Sequence, residues 1–189
     1  MTRNIMIVGV GGQGTLLASR ILGNTVINKG YDVKVSEVHG MSQRGGSVVT
    51  YVRFGDKVYS PIVDAGEADF IVSFEKLEAA RYISNLKIGG KIIVNSQQID
   101  PMPVITGAAS YPAEVLTTLR EMGAEVQEMD ALTLAMEAGS SKAVNIVLMG
   151  RLARYLGIPE EKWIAAIETT VAPAFVELNK KAFALGYSD

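Results

Sequence analysis

The chain has 189 residues, 48% hydrophobic and 20% charged, which is apolar enough for one packed domain and rules out a disordered chain. Lys and Arg total 18 against 20 Asp and Glu, a net charge of −2, so there is no electrostatic case for nucleic acid or an anionic membrane as partner. There is no cysteine and His39 is the sole histidine, which excludes disulfides, thiolate catalysis, cysteine-ligated zinc or iron–sulfur clusters, and any multi-histidine metal site within the chain.

Residues 5–10 (IMIVGV) form a short apolar run rich in β-branched residues, the pattern of a central strand buried on both faces. Arg3 leads into this run, but it passes directly into a glycine loop without a small-residue cleavage site. It therefore reads as a first strand and not as a signal peptide. A helical pattern follows, with Leu17, Ala18, Ile21, Leu22 and Val26 on one face and Gly30 as its stop. Residues 32–38 alternate like a second strand, and residues 40–46 (GMSQRGG) read as a loop. Residues 47–54 and 57–62 flank Gly55-Asp56 and predict a hairpin. A buried strand over 68–73, a helix over 75–86, a turn at Gly89-Gly90 and a strand over 91–95 come next. Pro101 and Pro103 mark a connection, followed by a helix over 112–122 and a strand over 124–129.

The last third is helical. Val144, Leu148, Leu152 and Leu156 make one stripe, and Trp163, Ile167 and Val171 another after Pro159 and its acidic first turn. Pro173 predicts a break before a final helix ended by Gly186. No apolar run approaches the roughly 20 residues that span a bilayer, and a cytoplasmic protein is the expectation. The expected fold is one α/β domain over 1–189: three layers, Rossmann-like, with a mostly parallel sheet, a β-hairpin and a helical C-terminal third.

Two segments carry the functional signal. Gly9, Gly11 and Gly14 satisfy G-x-G-x-x-G between a strand and a helix, where glycines permit close backbone approach and the helix N-terminus offers free N–H groups to a phosphate. Gly12 and Gln13 are extra to that fingerprint, and Glu37 stands where a ribose-binding carboxylate would. The competing reading is a tight strand–turn–helix junction with no ligand. The second segment, residues 37–46 (EVHGMSQRGG), gathers His39, Ser42, Gln43 and Arg44 among glycines, and Arg44 suits a phosphate or carboxylate. In a parallel sheet the C-terminal end of the second strand lies beside that of the first, so this loop is expected to face the first loop across one rim. His39 alone reads as a structural loop residue, not a catalytic group, and Met41, if exposed in this polar loop, would suit a partner surface. Asp64 and Glu67 read as turn residues. Ser73, Glu75, Asn95 and Ser96 end strands on the same rim, with capping sufficient for Ser73, and Ser140, Ser141, Lys142 and Asn145 form a polar knot before a very apolar helix. No Walker lysine and no G-x-S-x-G is present.

GVGGQG at 9–14 together with EVHGMSQRGGSV at 37–48 resembles the beta subunit of indolepyruvate ferredoxin oxidoreductase, and more broadly the gamma subunit or domain of 2-oxoacid:ferredoxin oxidoreductases. The resemblance continues through ADFIVSFE, GGKIIVN and the final helix, and so covers essentially the whole chain. It implies a small subunit of an enzyme that oxidatively decarboxylates a 2-oxo acid to an acyl-CoA and passes electrons to ferredoxin. It also implies that thiamine diphosphate, Mg and iron–sulfur clusters reside in the large (alpha) subunit, the partner of this chain. The glycine-rich rim (Gly9, Gly11, Gly12, Gln13, Gly14, Glu37, Ser42, Gln43, Arg44) would then touch coenzyme A. Two other readings stay open here: a stand-alone Rossmann protein binding NAD or FAD with Glu37 on the ribose, and a pure interaction module. A homodimer of the isolated subunit, the stoichiometry and the identity of the 2-oxo acid are also open.

Overall fold

The computed structural model describes residues 2–42 and 45–188. The chain order is β1 (Arg3–Val10), α1 (Thr15–Asn28), β2 (Asp32–His39), β3 (Ser47–Gly55), β4 (Ala68–Ser73), α2 (Lys76–Arg81), β5 (Leu86–Asn95), the single turn α3 (Met102–Ile105), α4 (Val115–Glu121), β6 (Glu125–Met129), α5 (Ala131–Ala138), α6 (Val144–Leu156), α7 (Glu160–Thr170) and α8 (Val176–Ser188). One six-stranded sheet runs β2-β3-β1-β4-β5-β6. β1, β4, β5 and β6 are parallel, and β3 lies antiparallel between β2 and β1, so five strands share a direction.

Alternation along the central strands feeds two cores. Ile5 and Ile7 of β1 and Phe70 and Val72 of β4 pack with α1, α5, α6, α7 and α8. Met6, Val8 and Ile71 pack on the other face with Ala79 of α2 and Val115, Leu116 and Leu119 of α4. Strands buried on both sides explain the unbroken apolar run over 5–10. The expected three-layer, mostly parallel α/β architecture is the one observed.

Four local expectations are corrected. The hairpin pairs β2 with β3, not residues 47–54 with 57–62. Both edges of β3 are taken by β1 and β2, and Pro61 has no N–H to give a ladder, so the segment after Gly55 is held by side chains instead. Arg53 donates to the Ile62 carbonyl at 2.7 Å, and Asp32 accepts the Val58 N–H at 3.0 Å. Gly89-Gly90 lies inside β5, where the register against β4 shifts, and a Cβ on Gly90 would meet the Ala68 carbonyl at 2.9 Å. Helix α5 was not expected; Asp130 caps it, accepting Thr133 N–H at 3.0 Å. Gly186 does not end the last helix. It sits inside α8, where a Cβ would meet the Val147 carbonyl of α6 at 1.9 Å.

Candidate functional site

β1 and β4 are parallel neighbours, yet α1 follows β1 on one face of the sheet and α2 follows β4 on the other. Their C-terminal ends therefore form the topological switch point where α/β sheets bind ligands. The loop over 9–14 occupies it. Gly12 (φ 102°) and Gly14 (φ 86°) are left-handed, and only Gly14 is crowded: a Cβ there would meet Asn145 Nδ2 at 2.7 Å. Asn145, buried at the start of α6, donates to the Gly14 carbonyl at 3.2 Å. Around Gly12 there is open space. Gly14 also stands at the N-cap of α1 with no side-chain cap and no acid in the first turn, so that end of the helix keeps its positive partial charge.

Gln13 is bound into the loop. Its Oε1 accepts the Val10 N–H at 2.7 Å, and its Nε2 donates to the Phe74 carbonyl at 3.3 Å. It thereby bridges the crevice between the β1 and β4 ends and supports the glycine backbone from below. Gly9 is small for the same reason, since a Cβ would lie 2.9 Å from Gln13 Oε1 and 3.0 Å from Phe74 Cβ.

The second loop does meet the first, by a route the sequence did not show. β3 separates β1 from β2, so the strands are not neighbours as expected; the two loops are joined through residues 45 and 46. The Gly11 N–H donates to the Gly46 carbonyl at 2.8 Å, and the Gly45 N–H to the Gly11 carbonyl at 3.4 Å. Gln43 and Arg44 lie outside the described residues. Ser42 and Met41 are exposed, Met41 fully.

Between the loops lies a cavity of about 310 Å3 lined by Gly11, Gly12, Gly14, Thr15, Glu37 and His39, among others. Glu37 Oε2 accepts from Thr50 Oγ1 at 3.1 Å and from Thr15 Oγ1 at 3.4 Å, which turns the carboxylate toward the start of α1. His39 is exposed, its Nδ1 3.1 Å from its neighbour's carbonyl at Gly40. Thr15 and Thr50 were not singled out in the sequence, because only the pairing of β2 with β3 sets Thr50 opposite Glu37.

The remaining rim residues hold the scaffold. Ser73 Oγ donates to the Glu75 carbonyl at 2.6 Å. Buried Asn95 donates to the Phe74 carbonyl at 3.2 Å and accepts the Ala131 N–H at 3.1 Å. Buried Glu75 caps α2 through the Glu78 N–H at 3.0 Å and accepts from Ile99 N–H and the Tyr111 hydroxyl. Burial, and then the hydrogen bond to Glu75, raise the Tyr111 phenol above its ordinary pKa, so it stays a proton donor. This clasp pins the long connection between β5 and α4 to the rim. Asp64 and Glu67 close a turn, with Glu67 N–H on the Asp64 carbonyl at 3.2 Å. Ser140 caps the turn before α6 by accepting the Lys142 N–H at 3.2 Å.

This chain's own donors do not suit an iron–sulfur cluster or a metal ion. It has no thiolate for a cluster, and among the described residues no group of three or more His, Cys, Asp or Glu is placed to hold a metal ion. The side chains at this rim are engaged: Gln13 holds backbone of the loop, and the Glu37 carboxylate is held by the Thr15 and Thr50 hydroxyls.

Residues 4–188 match the family described as pyruvate ferredoxin/flavodoxin oxidoreductase. Indolepyruvate oxidoreductase subunit IorB of Thermococcus kodakarensis is 47% identical over 188 residues, covering 97% of this chain and 93% of that protein. The gamma subunit of a keto/oxoacid ferredoxin oxidoreductase from Geobacter sulfurreducens superposes with a TM-score of 0.74 at 25% identity, over 98% of this chain and 96% of the other. In fold alone, 99% of this chain matches 30% of a 2-oxoglutarate:ferredoxin oxidoreductase chain from Magnetococcus marinus, solved with coenzyme A and succinyl-CoA bound (TM-score 0.75, 17% identity).

Proposed function

The chain belongs to the pyruvate ferredoxin/flavodoxin oxidoreductase family, and from that membership we infer that it is the small subunit of a 2-oxoacid:ferredoxin oxidoreductase of the indolepyruvate kind. The near end-to-end match to an indolepyruvate oxidoreductase subunit carries this reading. The holoenzyme converts a 2-oxo acid and coenzyme A to an acyl-CoA and carbon dioxide, passing the electrons to ferredoxin. Thiamine diphosphate, Mg and the iron–sulfur clusters belong to the large subunit, in keeping with a chain that lacks thiolates. No helix among the described residues is long and apolar enough to cross a membrane, and we place the complex in the cytoplasm.

Within that complex the glycine loop seats part of coenzyme A. The open backbone at Gly12 and the uncapped start of α1 suit a phosphate, Glu37 suits ribose hydroxyls, and Arg44 supplies the cation. The first test is co-expression with the large subunit and an anaerobic assay of viologen or ferredoxin reduction by indolepyruvate with coenzyme A. A stable complex, active only with both chains, is expected; a chain that stays alone and binds NAD or FAD tightly would overturn the assignment. Within an active complex, Arg44→Ala should raise the Michaelis constant for coenzyme A several-fold, and an unchanged constant sinks the coenzyme A seat alone.

A further inference from the structure

A second and larger cavity, about 550 Å3, opens between α1, the turn from α5 to α6 and the corner from α7 to α8. It shares no lining residue with the cavity at Glu37. Its volume is that of a small-molecule pocket, roughly 300–1,000 Å3. Leu17, Val171, Phe175 and Leu178 supply apolar wall. No acidic residue lines it, although the chain carries more Asp and Glu than Lys and Arg.

The polar groups on the wall are few and specific. Lys142 is the sole charged residue lining the cavity, and its ammonium makes no hydrogen bond or ion pair among the described residues. Buried Asn179 donates through Nδ2 to the Phe175 carbonyl at 2.8 Å, which leaves Oδ1 as an acceptor. Thr170 Oγ1 accepts from Asn24 Nδ2 at 2.8 Å and keeps its own proton to give. The wall is also well braced: the Val171 N–H donates to the Ile167 carbonyl and the Phe175 N–H to the Ala172 carbonyl, both at 2.9 Å. Gly139 ends α5 with a φ of 122° that favours glycine, and Leu178 lies at ordinary contact distance from it.

We propose that this cavity is a small-molecule site for an aryl or arylalkyl carboxylate, its apolar body against Leu17, Val171, Phe175 and Leu178 and its carboxylate at the Lys142 ammonium. A single cation matches a single negative charge. Aliphatic and aromatic walls match a flat apolar body of one or two rings. The site adjoins the glycine loop, since Leu17 and Lys142 also line a cavity of about 490 Å3 together with Gly12, Gln13 and Gly14.

The test is calorimetric titration of the full chain, alone and in complex with the large subunit, with 2-naphthoate and its neutral isostere 2-naphthamide. One saturable equivalent of naphthoate is expected in both preparations, with the amide about fivefold weaker, the worth of one partly solvated ion pair. Lys142→Gln, at an exposed position, should bring naphthoate to the level of the amide and leave the amide unchanged. Ala172→Trp, at the exposed lip, should abolish both. No binding, equal affinity for the two probes, or an unchanged affinity in Lys142→Gln would overturn the proposal. So would binding to the free chain that disappears in the complex, since the face would then belong to the large subunit.

Discussion

Gly12 and Gly14 share a left-handed backbone, yet they answer to different demands. Either one replaced by alanine pays about 1–2 kcal/mol for its φ. At Gly14 the new methyl also displaces Asn145 from the carbonyl it binds, adding about 1 kcal/mol. Gly14→Ala should therefore lower the urea midpoint clearly more than Gly12→Ala; equal losses would mean that Asn145 yields freely. Asp32 gives a pH signature at the same scale. The hydrogen bond from Lys34 at 2.7 Å, and then the Val58 N–H, hold its carboxyl at about 2 against an ordinary 3.8. A depressed pKa stabilises the fold fully above the ordinary value and loses that contribution as pH falls through about 2. Melting temperature should thus fall less steeply between pH 4 and pH 2 in Asp32→Asn than in the natural protein. Of the residues singled out in the sequence, Gly9, Gln13 and Gly14 have contacts that explain their identity in packing terms, whereas Gly12 does not: nothing near it demands a glycine except φ. That difference is invisible in the motif, because G-x-G-x-x-G records where side chains are missing and not what fills the space.

At the scale of elements, the close crossing of α6 and α8 governs the helical layer. Gly150 of α6 and Gly186 of α8 face backbone across it: a Cβ on Gly150 would meet the Phe183 carbonyl at 2.2 Å. Backbone has no rotamer with which to move aside, so Gly186→Ala must push the helices apart. We expect a loss at the upper end of the 1–3 kcal/mol usual for overpacking, read from the denaturant midpoint, with Gly150→Ala behaving alike. A loss below 0.5 kcal/mol would show that the layer slides at no cost. The same crossing shows why the end of the last helix is not legible in the sequence: Gly186 looks like a helix stop, and only the neighbouring helix shows that it is a contact. The hairpin was misassigned for a related reason. Gly55-Asp56 is a good turn signal, but which strand pairs with β3 depends on which edges are free, and β1 and β2 hold both.

For the whole molecule, the sheet is shared by two cores, and adjacent residues of β1 feed both. Loss of either helical layer would bare one face of the strands that support the other layer. Trp163, fully buried and 5.7 Å from the Phe183 ring, reports on the α6–α8 side, while far-ultraviolet circular dichroism reports on both. The two unfolding curves should coincide in urea; an earlier tryptophan transition would mean that the helical layer melts by itself. The candidate rim depends on the same sharing, since α1 and α2 leave the sheet on opposite faces and so open the switch point that the glycine loop fills.

The alternation of apolar strands and helices, the glycine loop after β1 and the lack of cysteine were legible in the sequence, because hydrophobic period, backbone freedom and donor chemistry are local properties of the chain. Together with the paired motifs at 9–14 and 37–48 they were enough to place the family. What the tertiary structure decided was adjacency: β3 between β1 and β2, Thr50 opposite Glu37, Asn145 against Gly14, and Lys142 at the lip of an acid-free cavity. These juxtapositions join residues far apart in the chain, up to 131 positions for Gly14 and Asn145. They arise only when the sheet order is chosen, and that choice rests on which faces and edges remain to be covered.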